Sequence, residues 1–456
     1  MAVELLRNKL RESRRLDSTD LRIARPGQTV RAGELTAEWF PVCHSIPDAH
    51  GIAVHTPLGA VIHTGDFKID HDPVVGDPTD FTDLARISRD GVFLLLSDST
   101  YAEDEGYSGS DRIAAEGLFK VIGEAEGRVF VASFASQIAR VQIAADAARA
   151  TGRKLAVLGR SMINNIRIAR DLGHLDIPPG LMVKPAEAAS LPDHRVLYMT
   201  TGSQGEASSV LVRMSRGEHR DVDAREGDTI VISANAIPGN EVSVNESIDD
   251  LVRLGARVIT NRQQVTHVQG HARREELRTI INLTQPRYFV PVHGEYRMLK
   301  AHAELAMNHG VAEENVFVLT DGDHLELSAT GGEIIDRLPA GHVFVHGLGM
   351  WDESGNVVVE RRSLARDGIV VVSLARGRDG RIKGEPKFVS AGFVHSDQSD
   401  VLFKDTKDAL SPILDRARSE SIKWTQIEQQ LRAAAGRFLG KRTRRRPLII
   451  LVPVDV

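Results

Sequence analysis

The sequence predicts an α/β protein with a smaller α+β tail. Three observations predict it. From about 108 to 275, short β-branched runs alternate with stretches of helical periodicity, which is the pattern of a parallel sheet with crossover helices. Before that, short apolar runs punctuated by Pro and Gly read as strands. The length of 456 residues, 42% of them hydrophobic and 26% charged, leaves room for two or three domains with sizeable cores.

In order, residues 1–107 read as a short helix over 3–12 and then strands over 38–44, 51–55 and 59–64. Within 108–275, strands at 129–132, 155–158, 196–200 and 229–233 lead into helices beginning at Ala135, at Met162, near Ala207 and near Ser243. Residues 276–345 continue as helix and strand, ending in small strands near Val316 and Leu325. The tail, 350–456, reads as strands at 356–360, 369–374 and 388–394, two helices across 401–438, and a last strand over 448–454. No internal repeat or low-complexity segment appears.

Composition narrows the function classes. A single cysteine, Cys43, excludes an internal disulfide and fits a reducing, cytoplasmic setting. No apolar run reaches the length of a membrane span, and the start lacks a signal peptide's apolar core. A net charge of -5 decides nothing about nucleic acid; the cluster Lys441, Arg442, Arg444, Arg445, Arg446 is either a phosphate contact or a solvated face.

The most informative stretch runs from His267 to Arg297. Two turn-like pieces, HVQGH and PVHGE, carry His267, His271 and His293. Between them lie an amphipathic helix over 272–283, with Leu277, Ile280 and Ile281 on one face, and an apolar strand over 288–292. A helix followed by a strand returns both outer ends to one sheet edge, so His271 and His293 are expected side by side. Histidine beside glycine at a strand end suits a metal ion, because the backbone turns sharply and frees the ring. The plain alternative is a pair of surface histidines beside turn glycines.

A second stretch, 44–70, repeats the arrangement. His44 follows one strand, and Asp66 lies just past another in the turn TGD. A carboxylate at a strand end can bridge two cations through its two oxygens. Alone, Asp66 reads as a turn aspartate bonded to its own backbone; with His44, His271 and His293 it favours metal. FASQ, at 134–137, separates a strand from a helix, so Ser136 and Gln137 open that helix. Its free N–H groups would seat a phosphate, with Ser136 as the N-cap. TGSQGE, at 201–206, sets Ser203 between glycines, either a phosphate nest or a plain turn.

These segments, together with LLSDSTYAE at 95–103, GRSMINNI at 159–166, IPGNE at 237–241 and the terminal TRRRPLIILVPVDV, resemble ribonuclease J over nearly the whole chain. The resemblance implies a metallo-β-lactamase αββα sandwich, split by an inserted β-CASP domain and followed by a small α+β domain. It implies that His44 ligates one zinc, Asp66 bridges two, and His293 ligates the second. His271 would sit against the scissile phosphate, supported by Asp98 or Glu103. Ala135, Ser136, Gln137, Ser203 and the loop His267, Val268, Gln269, Gly270, His271 would contact substrate; Gln269 stands where the family usually has serine, which puts that contact in doubt. It further implies hydrolysis of single-stranded RNA from 5′-monophosphate ends and internally, in RNA maturation and decay alongside other decay proteins, by a homodimer or homotetramer assembled through the tail.

One departure matters. The His-x-His-x-Asp-His signature of the metallo-β-lactamase fold occurs nowhere in the chain, whose first histidine is His44. The chain therefore reads as beginning late relative to the family, with the sandwich incomplete. Two zincs call for roughly seven protein contacts, and His44, Asp66 and His293 are what remains. Weak zinc binding and impaired cleavage by this chain alone are expected. The alternatives are a non-catalytic RNA-binding relative and another hydrolase of the same superfold.

Overall fold

The computed structural model describes residues 1–237, 239–346, 349–352 and 356–456, so Pro238 of the IPGNE segment lies outside the described residues. The chain divides into two compact units, 1–336 and 337–456.

Unit one opens with α1 (Ala2–Glu12) and then β1 (Thr29–Ala32), β2 (Leu35–Pro41), β3 (His50–Thr56), β4 (Gly59–His63), α2 (Thr82–Ser88) and β5 (Val92–Asp98). The inserted region follows: α3 (Asp111–Glu124), β6 (Val129–Ala132), α4 (Ile138–Ala150), β7 (Lys154–Leu158), α5 (Arg160–Asp171), β8 (Met182–Val183), α6 (Pro185–Ala188), β9 (Val196–Thr200), α7 (Val210–Ser215), β10 (Thr229–Ile232), α8 (Glu241–Arg253) and β11 (Arg257–Ile259). The chain then returns through α9 (Arg274–Thr284), β12 (Tyr288–Val292), α10 (Tyr296–Asn308), β13 (Asp323–Leu327) and β14 (Gly332–Arg337).

The first sheet has the order β1-β2-β3-β4-β5-β12. Its first four strands are antiparallel, whereas β4, β5 and β12 run parallel. Ala53, Ile62, Leu95 and Phe289 line its inner face and pack against Leu84 and Ile87 of α2, Leu277, Ile280 and Ile281 of α9, and Leu305 of α10. The period of two then sends Val54, Val61, Leu94 and Leu96 to the outer face, where they are half-buried. Also on that side, Phe93 meets Tyr288, and the Tyr288 hydroxyl donates to the Ser328 carbonyl.

The inserted sheet is parallel throughout, in the order β11-β10-β6-β9-β7-β8. Its central strands β6, β7, β9 and β10 are buried on both faces, as crossover topology requires. One face packs α3, α4 and α5 around Val129, Val131, Leu155 and Met199. The other packs α7 and α8 around Phe130, Ala132, Tyr198 and Ile230.

Unit two holds β15 (Val343–His346), β16 (Gly349–Asp352), α11 (Asn356–Asp367), β17 (Ile369–Arg376), β18 (Ile382–Ala391), α12 (Ser396–Ser419), α13 (Trp424–Thr443) and β19 (Leu448–Asp455). Its three-stranded sheet, β18-β17-β19, packs Val370, Val372 and Leu451 against Leu414, Leu431 and Leu439. The expected strand at 356–360 is instead the first turn and a half of α11. Three consecutive valines mimic a strand, but the run ERRSLARD behind them has helix-forming residues and no breaker. The expected strand at 38–44 lies at Leu35–Pro41, stopped by Pro41.

Candidate metal and phosphodiester site

Strand direction assembles the site. The chain runs the same way in β2, β4, β5 and β12, so their C-terminal ends share one sheet edge. His44 follows β2, Asp66 follows β4, Asp98 ends β5 and His293 follows β12. Val292 stands opposite Asp98 in the register, which sets His293 beside the aspartate. His271 comes to the same edge because α9 runs back across the sheet to feed β12. The ring centroids of His44 and His271 are 4.9 Å apart, and those of His271 and His293 are 5.2 Å apart.

Hydrogen bonds fix the tautomers. His44 Nδ1 lies 2.6 Å from the Gly270 carbonyl oxygen. A carbonyl only accepts, so the proton is on Nδ1 and the Nε2 lone pair is free. His271 Nδ1 donates to Asp98 Oδ2 at 2.7 Å. His293 Nδ1 donates to Asp98 Oδ1 at 3.2 Å and lies 3.5 Å from Asp66 Oδ1. Thr100 donates its hydroxyl proton to Asp98 Oδ1 at 2.8 Å. Three imidazoles thus have Nδ1 tied down and Nε2 available, the arrangement that orients metal-ligating or proton-transferring histidines.

Local backbone makes these approaches possible. A Cβ on Gly270 would meet His44 Cε1 at 2.9 Å and Ser45 Oγ at 3.0 Å, so only glycine lets the loop carbonyl reach the ring. His293 itself has φ +55, a left-handed conformation at the end of β12 that turns the ring back over the sheet edge.

Electrostatics reinforce the geometry. Burial pushes the Asp98 carboxyl up, but hydrogen bonds from His271, His293 and Thr100 outweigh it and hold it well below the usual range. His44 is pushed down by burial and by the neighbouring His271. The Asp98 hydrogen bond raises His293.

Of the two carboxylates expected to support His271, Asp98 touches it. Glu103 is exposed and pairs with Arg297 at 3.1 Å. Asp66, Asp98, His271 and His293 each offer a donor atom, all within 4.8 Å of one another. Four-coordinate zinc with 2.0–2.2 Å bonds separates its ligands by about 3.5 Å. Asp98 is already taken up by His271 and His293, so Asp66 and the free Nε2 atoms of His293 and the neighbouring His44 are the groups that could hold a divalent ion. Among the described residues this is the group of three or more metal-competent side chains that comes together.

The substrate-side expectations divide. Gln137, Val268, Gln269 and Gly270 line a small pocket of about 10 Å³ with Ser45, Lys68, Asp111 and Arg140. His267 is buried behind it, and burial together with Arg140 and Lys68 lowers its pKa to about 3. The Gln269 side-chain oxygen Oε1 accepts from Arg273 Nε at 3.0 Å. Ala135 and Ser203 line a different, larger crevice. Ser136 is exposed but does not cap: α4 begins at Ile138, its N-cap is Gln137, and no side chain bonds the first turn. The tight turn closed by Ile138 N–H on the Ser136 carbonyl (2.9 Å) delays the helix beyond the serine's reach. Ser203 is buried and its neighbour Gln204 is structural, bonding the Asn235 carbonyl and the Ile237 N–H.

The sequence reading missed His63 and Thr100. His63 Nδ1 accepts from Gly65 N–H at 2.9 Å, so its neutral ring carries the proton on Nε2 and serves as a donor rather than a ligand. Its place two residues before Gly65, in the same HTGD turn as Asp66, was the available signal.

Comparisons with known proteins agree with this architecture. A sequence model described as "Ribonuclease J, beta-CASP domain" matches residues 126–251. One described as "Zn-dependent metallo-hydrolase RNA specificity domain" matches 255–319. "Ribonuclease J C-terminal domain" matches 356–456. A Ribonuclease J of Synechocystis sp. is 38% identical over 99% of this chain and 72% of its own length. Ribonuclease J2 of Bacillus subtilis is 35% identical over 100% of this chain and 82% of its own. A Ribonuclease J of Mycobacterium tuberculosis is 39% identical over 95% and 77%. A solved structure from Enterococcus faecalis V583, a protein of unknown function, aligns with TM-score 0.46 at 14% identity over 69% of this chain and 68% of that one, too weak a likeness to argue from. With its metallo-β-lactamase-type sheet, inserted β-CASP domain and α+β tail, the chain belongs to the ribonuclease J family.

Proposed function

We propose that this protein is a metal-dependent ribonuclease that hydrolyses phosphodiesters of single-stranded RNA, with zinc as its metal. The observation that supports it most is the convergence of Asp66, Asp98, His271 and His293 on one sheet edge, with His44 against His271. A bound divalent ion lowers the pKa of coordinated water and neutralises charge on the phosphoryl oxygens. Asp66 and His293 would hold it, with His44 on the opposite side of His271.

The chain's own residues do the rest. Asp98 fixes His271 as the Nδ1–H tautomer, so Nε2 is the atom that exchanges a proton with the departing oxygen. His63 Nε2–H is a donor for a phosphate oxygen near Asp66. Gly270 and Gln137 border a water-sized pocket next to Ser45, and groups at its rim would orient the phosphate outside it. Processing from 5′-monophosphate ends and internally, assembly into a dimer or tetramer through the tail, action in RNA maturation and decay, and a cytoplasmic setting belong to the same reading. With Asp66 and His293 as its holders, the ion is bound weakly and cleavage by this chain is slow.

The test pairs elemental analysis with cleavage of a 5′-phosphorylated, 3′-labelled RNA. The expected result is fewer than two equivalents of zinc per chain and slow cleavage that chelator abolishes. Two tightly held equivalents would overturn the single-ion account. RNA bound without any cleavage at saturating zinc would favour a non-catalytic relative and overturn the ribonuclease reading.

A further inference from the structure

One edge of the three-stranded sheet in unit two gathers positive charge. Ile369 at the head of β17 stands beside Leu448 at the head of β19 and Ala391 at the tail of β18. The segments entering β17 and β19 and leaving β18 therefore share that edge. The segment entering β19 is KRTRRR, five cations in six positions from Lys441 to Arg446. All five are exposed. α12 opens on the same edge, because its N-cap is His395, two residues past Phe393, and no side chain caps it.

Most of that charge is uncompensated. Lys441 and Arg442 lie in the last turn of α13 and offset the negative end of its dipole. Arg442 also lies 3.6 Å from Asp405. Arg444, Arg445 and Arg446 lie past the helix. Arg445 donates to the Phe393 carbonyl at 2.7 Å, a neutral acceptor that anchors the segment and leaves its charge standing. The side chains of Lys441, Arg444 and Arg446 make no hydrogen bond or ion pair with another described residue.

Two features separate this run from a merely solvated face and from a lipid-binding one. Arg444 caps α13 at φ +60, a left-handed position where glycine is the cheaper residue, so a charged side chain stands there at a conformational cost. Leu439 and Pro447, which flank the run, are buried in the domain rather than free to enter a bilayer. Arginine dominates, and its planar fork matches phosphate and stacks on bases. We propose that this edge of unit two is a docking surface for RNA backbone, with phosphates on Lys441, Arg444 and Arg446, apart from the nucleotides that react. The choice of RNA as the polyanion rests on the ribonuclease reading. A second foothold on one strand raises the effective concentration of the rest at the first, so the surface serves long RNA and not short. Contact through phosphates makes it indifferent to sequence.

Fluorescence anisotropy on the full chain tests this, with 5′-phosphorylated oligouridylates of about 5 and about 40 nucleotides, in chelator so that the RNA stays intact. The triple variant Lys441→Gln/Arg444→Gln/Arg446→Gln is expected to bind the long probe at least about tenfold more weakly at about 0.1 M salt, with its log-log salt slope reduced by about 2. The short probe should bind as it does to the parent. Arg444→Lys/Arg446→Lys should keep the parental slope, because the charge remains. The three positions are exposed, so melting should not change; if the triple variant melts early, Arg446→Gln alone reads the same effect as a slope loss of about 0.7. Equal affinity and slope for variants and parent on the long probe overturn the docking surface while the ribonuclease reading stands. Equal losses on both probes also overturn it, since the effect then lies with the reacting nucleotides. Vesicles of phosphatidylglycerol and phosphatidylcholine that hold the parent and release the triple variant, with RNA binding unchanged, assign the edge to lipid instead. Failure of the parent chain to bind either RNA overturns both readings.

Discussion

Asp98 is the residue on which the site's protonation turns. It accepts from His271, His293 and Thr100 at once and is almost fully buried. Asp98→Asn would present an amide to two Nδ1–H groups and force His271 toward the other tautomer. Cleavage is expected to fall by about 10²-fold or more, while RNA affinity stays within about threefold; parallel kinetic and binding titrations check this. Two other histidines titrate in the fold itself. Burial holds His302 at about 3, and burial with Arg140 and Lys68 holds His267 at about 3. Unfolded histidine titrates near 6.5, so as pH falls from about 6.5 toward 3 the unfolded chain binds protons that the folded chain refuses. Stability present above about pH 6.5 is lost across that window, by about 1.4 kcal/mol per pH unit for each ring. Urea midpoints measured from pH 7 to 4 should decline accordingly, and His302→Phe should flatten the decline.

The Asp98 pairing also shows what the sequence could carry. His44, Asp66, His271 and His293 were legible because each stands beside a turn residue at the end of an apolar run. Asp98 and Glu103 could not be told apart, because the choice depends on a strand pairing nearly two hundred residues away in sequence.

The loop 267–271 and the strand ends act as pieces. Gly270 makes the His44 contact possible, and Gly270→Ala would push the loop off the ring by several tenths of an ångström. Cleavage and zinc affinity are expected to fall at least tenfold with a small change in melting temperature; a large fall in melting temperature with unchanged zinc affinity would contradict this account. At this scale, local chemistry made the strands of the inserted sheet legible, since Gly, Pro and β-branched residues bound them. Helix starts were less so: α4 begins at Ile138 rather than Ala135 because backbone turns, which leave no mark in composition, take up the interval. The valine run in α11 failed for the opposite reason, a local preference overridden by its context.

Across unit one, the first sheet and the inserted domain are joined by a buried charge network. Lys68 donates to Asp70 at 2.8 Å and lies 3.6 Å from Asp111, which pairs with the fully buried Arg140 at 3.4 Å. Lys68 and Asp70 belong to one domain, Asp111 and Arg140 to the other. Lys68→Met would leave the Asp70 carboxylate buried without its cation, Asp111 keeping Arg140, and is expected to destabilise the unit by about 3–5 kcal/mol in chemical denaturation. No composition or periodicity argument foresees such a cross-domain network, because its members are unremarkable singly.

The pairing of β5 with β12 sets a timetable. Asp98 meets His293 across 195 positions of chain, so the two cannot come together until the whole inserted domain has been made. Closing so long a loop is slow unless the intervening segment is already compact. In refolding, near-ultraviolet and circular-dichroism signals from the inserted domain should therefore rise first, and the capacity to capture zinc should lag behind them. A nascent chain passes through synthesis inert, and becomes competent toward RNA only in its last stages of folding.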